Sequence, residues 1–362
     1  MLYEFLYPYH VDFSFLNIFR YITFRTIYGG LTAFLICFLV GPFVIRKLTQ
    51  MQIGQIIQTD GPQSHMGKQG TPTMGGILIL FSVFMTTIIW GNLSNHYVNI
   101  LLLTLLLFGF IGFVDDYLMQ IKKRNMGFSA KGKFLIQVLF GLIIGWLIYK
   151  CPDFNSTLTI PFFKDISPDL GIWYIPFACL VIVATSNAVN LTDGLDGLAI
   201  GPYIVASVTY MFFAYVAGHL QIAEYLHLRH IASAGDIAVV CGALAGAGLG
   251  FLWFNAHPAQ IFMGDSGSMF LGYILATVSI VGVLKATITI SLAVPILVLG
   301  IPITDTLFAI FRRIKNGKEI FKADNDHFHH RLLRKGFSQK QVGVLCYIIT
   351  ILLGLVAFFI SR

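Results

Sequence analysis

Ten apolar stretches recur along the chain, each long enough to cross a bilayer as an α-helix, which takes about 17–25 residues. They fall at 24–45, 74–91, 97–115, 133–150, 172–189, 197–217, 236–254, 266–284, 287–311 and 341–360. Glycines and serines dilute the start of the eighth. The pattern predicts an all-α polytopic membrane protein, residues 1–362 forming one transmembrane domain with about ten spanning helices.

Composition agrees with that class. Hydrophobic residues make up 56% of the 362 and charged residues 11%, and the mean hydropathy of +0.78 is far above soluble norms. The net charge of +7 is therefore read through loop topology and lipid contact, and no nucleic-acid partner is expected. Five cysteines (Cys37, Cys151, Cys179, Cys241, Cys346) are scattered with no CxxC, which argues against a disulfide framework or a zinc site. Residues 1–23 carry Glu4 and Asp12 and lack a basic start and an uninterrupted apolar core, so no cleaved signal peptide is expected.

Charge changes the picture by orienting it. The segments after odd-numbered stretches hold 17 of the 24 Lys and Arg, and the opposite side with both termini holds 7. The positive-inside rule places the odd-numbered exits in the cytoplasm and both termini outside.

Every unusual polar cluster falls on the cytoplasmic side. These are Asp60–Gly76 after the first stretch, Val114-Asp115-Asp116-Tyr117 at the end of the third, and Asn187–Ala199 after the fifth. Asn255–Gly267 joins the seventh and eighth, and Asp324–Arg331 lies between the ninth and tenth. The outer loops offer no comparable cluster, and 152–168 reads as a short hairpin or irregular cap. Carboxylates in or beside membrane segments are costly, so five such loops converging on one face predict a site.

Each cluster has a chemical and a structural reading. Asp115 and Asp116 end an apolar stretch and diverge by about 100° on a helix, so different partners are expected for the two. One can serve as a metal or phosphate-site carboxylate and the other as a general base. A solvated helix end is the structural reading, although two carboxylates there oppose the macrodipole. Asp193 and Asp196, three apart, would share a helix face, with Gly194 and Gly197 allowing close ligand approach and Asn187 and Asn190 adding amides one turn earlier. An Asx-type turn capping the sixth stretch would explain one of these aspartates.

Asp265 sits in N-cap position before the eighth stretch. It reads as a cap or, beside the other carboxylates, as a ligand for a hard cation such as Mg²⁺. His327, His329 and His330 stand among Arg331, Arg334 and Lys335, a setting that suits a phosphate or pyrophosphate or a loop drawn to anionic lipid. Lys68, Thr71 and Thr73 lie in a Gly/Pro-rich turn, and Lys131 and Lys133 flank the fourth stretch; these lysines can neutralise phosphates or mark the cytoplasmic boundary. His65 and His257 are weaker candidates. Acidic groups for a metal and basic groups for phosphate at a membrane surface suit phosphoryl transfer. There is no GxxxxGK[ST] loop, and a site at the lipid boundary suggests that one reactant is a lipid. A secondary transporter would place such groups near the midplane, often within an internal repeat, and no repeat is evident here.

At these motifs the chain resembles the polyprenyl-phosphate N-acetylhexosamine-1-phosphate transferases, and within them the muramoyl-pentapeptide branch. The resemblance is carried by Asp60-Gly-Pro…Gly-Thr-Pro-Thr-Met-Gly-Gly76, Val114–Tyr117, Asn187–Ala199 and Phe251-Leu-Trp-Phe-Asn…Phe-Met-Gly-Asp265. It implies transfer of phospho-MurNAc-pentapeptide from its UDP conjugate to undecaprenyl phosphate, with Mg²⁺, giving lipid I and UMP in the bacterial cytoplasmic membrane. Residue by residue, it implies Asp265 as metal ligand and Asp115 and Asp116 as essential carboxylates, one of them deprotonating the lipid phosphate. Asn190, Asp193, Gly194 and Asp196, with Lys68, Thr73, Asn255 and Phe262, would line the nucleotide and phosphate pocket. The family lysine falls on Lys131 or Lys133, and the family histidines on His329, His330 and Arg331. The loop Ala323-Asp-Asn-Asp-His-Phe-His-His-Arg-Leu-Leu-Arg-Lys-Gly-Phe337, preceded by Ile301-Pro-Ile-Thr-Asp-Thr306, departs from the muramoyl pattern and resembles the branch that uses UDP-N-acetylglucosamine. An exposed apolar helix face would permit a homodimer.

Overall fold

The computed structural model describes residues 1–51, 70–122, 128–152, 154–158, 168–226, 230–281, 293–315 and 327–360. They form fourteen α-helices with no β-strand among the described residues. These are α1 Leu2–Leu6, α2 Ile22–Gln50, α3 Gly76–Trp90, α4 His96–Lys122, α5 Ala130–Tyr149, α6 Tyr174–Thr192 and α7 Ile200–Gly218. After them come α8 Leu220–Tyr225, α9 Ala234–Asn255, α10 Asp265–Ile280, α11 Ala293–Val298, α12 Gly300–Lys315, α13 Phe328–Arg334 and α14 Gln339–Ile360.

Seven helical segments among the described residues are long and apolar enough to cross a membrane: Ile22–Gln50, His96–Met119, Lys131–Tyr149, Gly171–Thr192, Ile200–Gly218, Ala234–Asn255 and Gln339–Phe359. The chain is thus an all-helical, multi-pass membrane protein. The other three predicted stretches are helical but shorter. The second is α3, of 15 residues, and the eighth is α10, of 16, with 282–284 outside the described residues. The ninth is broken after Val298 into α11 and α12, with 287–292 outside the described residues. Pro302 falls in the first turn of α12, where a missing N–H costs no helical hydrogen bond.

Two further boundaries shift, and both matter. α4 runs on to Lys122, so Asp115 and Asp116 lie inside the helix and not at its end, and their opposition to a helix terminus falls away. α6 stops at Thr192 with Asp193 as its C-cap, and α7 starts only at Ile200. Asp193 and Asp196 therefore occupy a turn and do not share a helix face. The predicted cap at 152–168 has a hairpin base: Leu158 N–H donates to Pro168 O at 2.9 Å and Leu170 N–H to Ser156 O at 3.2 Å.

Two helices sit at the centre. α9 is buried along nearly its whole length, packed on α2 and α7, and α10 packs on α4 and α6. In lipid the drive for helix association is close packing more than hydrophobicity, so small residues gather at such contacts. Gly242, Gly246 and Gly250, spaced by four, form one such stripe of α9. A Cβ at Gly246 would come 2.0 Å from the Gly30 carbonyl of α2. On α4, a Cβ at Gly112 would lie 2.5 Å from the carbonyl of Asp265. That contact seats the start of α10 against α4 one turn before Asp116.

One polar cluster stands at the far end, where the sequence suggested none. The Arg25 guanidinium pairs with Asp236 at 2.7 Å, both side chains being largely buried. Asn92 and Asn95 donate to the other oxygen of Asp236 at 3.2 and 3.1 Å. Tyr3 covers the guanidinium at 4.7 Å. A buried charge in lipid needs such compensation.

Candidate active site

Gly264 begins the site. It adopts φ +72°, a backbone conformation open to glycine, and serves as N-cap of α10. Asp265 is thus the first residue of α10 and not its cap. The neighbouring carboxylate of Asp116 takes the capping role from another helix, one oxygen accepting Asp265 N–H at 3.1 Å and the other Ser266 N–H at 2.8 Å. A helix N-terminus carries unpaired amides and partial positive charge, so a buried anion is stable there.

Asp115 points elsewhere, as the angular separation of adjacent helical residues requires. Its Oδ1 accepts Phe128 N–H at 2.7 Å and its Oδ2 meets Lys133 Nζ at 2.6 Å. The same ammonium bridges to Asp265 Oδ2. Lys133, from the first turn of α5, therefore joins the α4 carboxylate to the α10 carboxylate, while Lys131 is exposed to solvent. Geometry separates two lysines that sequence alone left equivalent.

The Gly/Pro-rich turn before α3 is held to the loop before α10 by backbone pairing. Phe262 N–H donates to Pro72 O at 2.8 Å, and Gly75 and Gly76 N–H donate to Phe262 O and Met263 O at 2.9 Å each. Thr73 is thereby placed beside Gly264. From α6, Asn190 accepts Ser268 Oγ–H at 2.7 Å. In the 193–199 turn, Asp196 accepts His257 Nδ1 at 2.7 Å and Ala259 N–H at 3.3 Å. Asn255 accepts Gly197 N–H at 3.1 Å and donates to Ile261 O at 2.9 Å. Asn255 thus ties the turn to the 255–264 loop, so its amide is engaged with the backbone.

Between these elements lies a polar cavity, open to solvent, whose walls include Thr73, Asn190, Asp193, Gly194, Asp196, Asn255, Phe262 and Asp265. Asp193 is half-buried on this wall. Burial first, and then the negative charges of Asp265, Asp116 and Asp196, push its carboxyl up to about 7. Such a concentration of oxygen ligands suits a hard divalent cation. Among the described residues no three His, Cys, Asp or Glu side chains close into a metal cage. A Mg²⁺ held by one or two carboxylates and completed by substrate phosphates needs none.

The histidine segment packs behind this wall. His329 is buried, and a Cβ at Gly194 would come 2.4 Å from its Nε2, so the glycine gives the imidazole room against the turn. His327 Nδ1 meets Asp305 Oδ2 of α12 at 2.9 Å, and Phe328 N–H donates to Asp305 Oδ1 at 2.8 Å. Asp305 thereby caps α13 and orients the histidines. His330 stands beside His329, the ring centroids 4.2 Å apart, and Arg331 is exposed.

Of the sequence candidates, Asn187 is turned away, its amide donating to Gln137 Oε1 at 3.0 Å and Val183 O at 2.8 Å. Lys68, His65, Asp60 and Asp324–Asp326 lie outside the described residues. Ser266, Ser268, Asp305 and Gln137 were not singled out as site residues. Asp305 carried a signal in the Ile301–Thr306 motif, and the serines in their place directly after Asp265.

The chain is similar to known proteins over nearly its whole length. The profile of Glycosyl transferase family 4 matches residues 98–283, and phospho-N-acetylmuramoyl-pentapeptide-transferase signature 1 matches 68–80. The phospho-N-acetylmuramoyl-pentapeptide-transferase of Desulforapulum autotrophicum is 60% identical over 361 residues, covering 99% of this chain and 98% of that one. Those of Desulfosudis oleivorans and Syntrophus aciditrophicus are 52% and 47% identical over the same lengths. With 99% of this chain aligned, these matches take in the histidine segment, so its departure does not move the chain to the N-acetylglucosamine branch.

Proposed function

The chain belongs to the phospho-N-acetylmuramoyl-pentapeptide-transferase family, and from that premise we propose how its site performs the transfer. The donor is UDP-MurNAc-pentapeptide and the acceptor undecaprenyl phosphate. An oxygen of the lipid phosphate forms a bond to the sugar-linked phosphorus, the bond from that phosphorus to the UMP oxygen breaks, and lipid I and UMP result. The observation that carries this reading is the bridging of Asp115 and Asp265 by Lys133, beside the α10 amides that hold Asp116, at the wall of an open cavity.

The roles follow from position. Asp193, Gly194, Asp196, Thr73 and Phe262 receive the uridine diphosphate, with Lys68 contributing positive charge to the phosphates. Asp265 would hold Mg²⁺, which when bound would supply positive charge against the charge of the transfer. Lys133 pairs with both Asp115 and Asp265 and holds the two carboxylates at a fixed spacing, and Asp116 fixes the start of α10 and hence the Asp265 carboxylate. Asp115 and Asp116 are the essential carboxylates, one of them deprotonating the lipid phosphate. His329, steadied through Asp305 and His327, backs the nucleotide turn, and His330 beside it and the exposed Arg331 offer hydrogen-bond donors to phosphates from the same segment. Asn187, Asn255 and Lys131 act only indirectly or at the boundary.

The membrane arrangement extends the same reading. Ten crossings, counting α3, α10 and the α11–α12 pair, put both termini outside and the cavity at the cytoplasmic face of the bacterial inner membrane. The exposed apolar side chains of α2 and α14 meet lipid or a second copy of the chain. The test is to supply purified protein with undecaprenyl phosphate, Mg²⁺ and UDP-MurNAc-pentapeptide. Magnesium-dependent release of UMP with a muramoyl-pentapeptide pyrophosphoryl lipid is expected; UMP release without a lipid product would refute the acceptor assignment.

A further inference from the structure

We propose that His257 is a positioning residue for the nucleotide half of the site, acting through Asp196; the proposal rests on the reading above that Asp196 receives the nucleotide. Only 2% of the Asp196 side chain is exposed, against 35% of the His257 ring. A carboxylate so enclosed is costly unless it is paired and hydrogen-bonded. Both of the bonds it accepts from the 255–264 loop, from His257 Nδ1 and from Ala259 N–H, land on Oδ2. Asp196 forms part of the cavity wall, and the ring grips it through the 257–259 segment.

Two hydrogen bonds on one oxygen fix both the position and the rotation of a carboxylate, and a carboxylate with a fixed rotation can select its partner. The partner such a group would take is an N–H or O–H donor, of which a uridine nucleotide offers an imide N–H and two ribose hydroxyls. The loop carrying His257 is itself held, since Asn255 bridges Gly197 N–H and Ile261 O on either side of it. The ring therefore acts from a fixed base. Its contribution is to preorganise an acceptor before the nucleotide arrives, which lowers the cost of binding without touching the reacting phosphorus.

Side-chain length gives the test. In asparagine the amide nitrogen stands as many bonds from Cα as histidine Nδ1, whereas in glutamine it stands one bond farther, nearer the place of Nε2. In His257→Phe and His257→Gln, the KM for the UDP-linked substrate and the inhibition constant of UMP are expected to rise about tenfold, the worth of a charge-assisted hydrogen bond. In His257→Asn both are expected to return to within about twofold of the parent, while kcat and the KM for undecaprenyl phosphate stay within about twofold throughout. If asparagine rescues no better than phenylalanine, or if kcat falls while KM and the UMP constant hold, the proposal is overturned. Should His257→Phe fail to fold in a thermal melt, the asparagine and glutamine pair decides alone. Asp196→Asn separates the two layers of the argument. If it leaves the UMP constant unchanged, the nucleotide reading of Asp196 fails. If it raises the constant while the His257 series stays flat, the positioning role alone fails.

Discussion

Replacing Lys133 with methionine keeps the unbranched apolar stem, one atom shorter, and removes the charge that joins Asp115 to Asp265. The lysine is 17% exposed, and the two carboxylates are 2% and 23% exposed, so solvent screens the trio only in part. At an effective dielectric of about 20, a pair of unit charges about 4 Å apart attracts by roughly 4 kcal/mol. Breaking a buried pair by removing one partner costs about 3–5 kcal/mol, because the other charge is left uncompensated. If about 3 kcal/mol of this falls on the transition state for transfer, kcat/KM drops by roughly a hundredfold or more. The assay is UMP release with purified Lys133→Met in detergent, alongside Lys131→Met, whose side chain is solvent-exposed and whose loss should cost less than about threefold. Retention of near-parent activity in Lys133→Met, or equal losses in the two variants, would refute the assignment of the bridging role.

Three further outcomes follow from the same geometry. Asp116→Asn replaces an acceptor of two amides with a group that turns an NH₂ toward one of them. A stability loss of about 1–3 kcal/mol is expected in thermal or denaturant unfolding, with a fall in UMP release that raised Mg²⁺ does not restore. Asp193 has a carboxyl raised to about 7 in the folded protein from the ordinary 3.8. Between those values the folded state binds more protons than the unfolded state, so this group's contribution to stability falls as pH rises from about 4 through about 7. The melting temperature of the parent should drop between pH 5.5 and 7.5, and Asp193→Asn should flatten that drop; an unchanged pH profile in the variant would count against the burial of this charge. Gly246→Val forces a side chain into the Gly30 carbonyl, and loss of folded protein on size-exclusion chromatography is expected, with Gly343→Ala, which meets no neighbour within 4 Å, as the tolerated control.

The helices were legible because lipid leaves a long apolar run few alternatives, and the five polar clusters because carboxylates are conspicuous there. What sequence left open was decided at the ends of elements. Asp115 and Asp116 looked like a helix terminus, yet α4 continues for another turn and a half, because Gly112 docks the start of α10 against it and supplies Asp116 with amides. Asp193 and Asp196 looked like one helix face, but α6 ends between Thr192 and Asp193, and the turn is stitched to the 255–264 loop by Asn255 and Asp196. Asn187 was grouped with Asn190 by spacing, yet its amide is taken up by Gln137 on α5 and by the Val183 carbonyl. The role of Asp305 depends on a contact 22 residues away with His327, and the Arg25–Asp236 pair on one 211 residues away. Neither separation leaves a local periodic trace. The ninth stretch read as one span because prolines at 295 and 302 carry no periodicity signal of their own, and the chain breaks between them.

The central claim is that this cavity passes a muramoyl-pentapeptide phosphate to a polyprenyl phosphate. Its most direct measurement is a competition in which equal UDP-MurNAc-pentapeptide and UDP-N-acetylglucosamine are offered with undecaprenyl phosphate and Mg²⁺, and the lipid products are identified by mass. A muramoyl-pentapeptide pyrophosphoryl lipid, formed together with UMP and lost in Lys133→Met, is the predicted result. A lipid bearing only N-acetylglucosamine would contradict it.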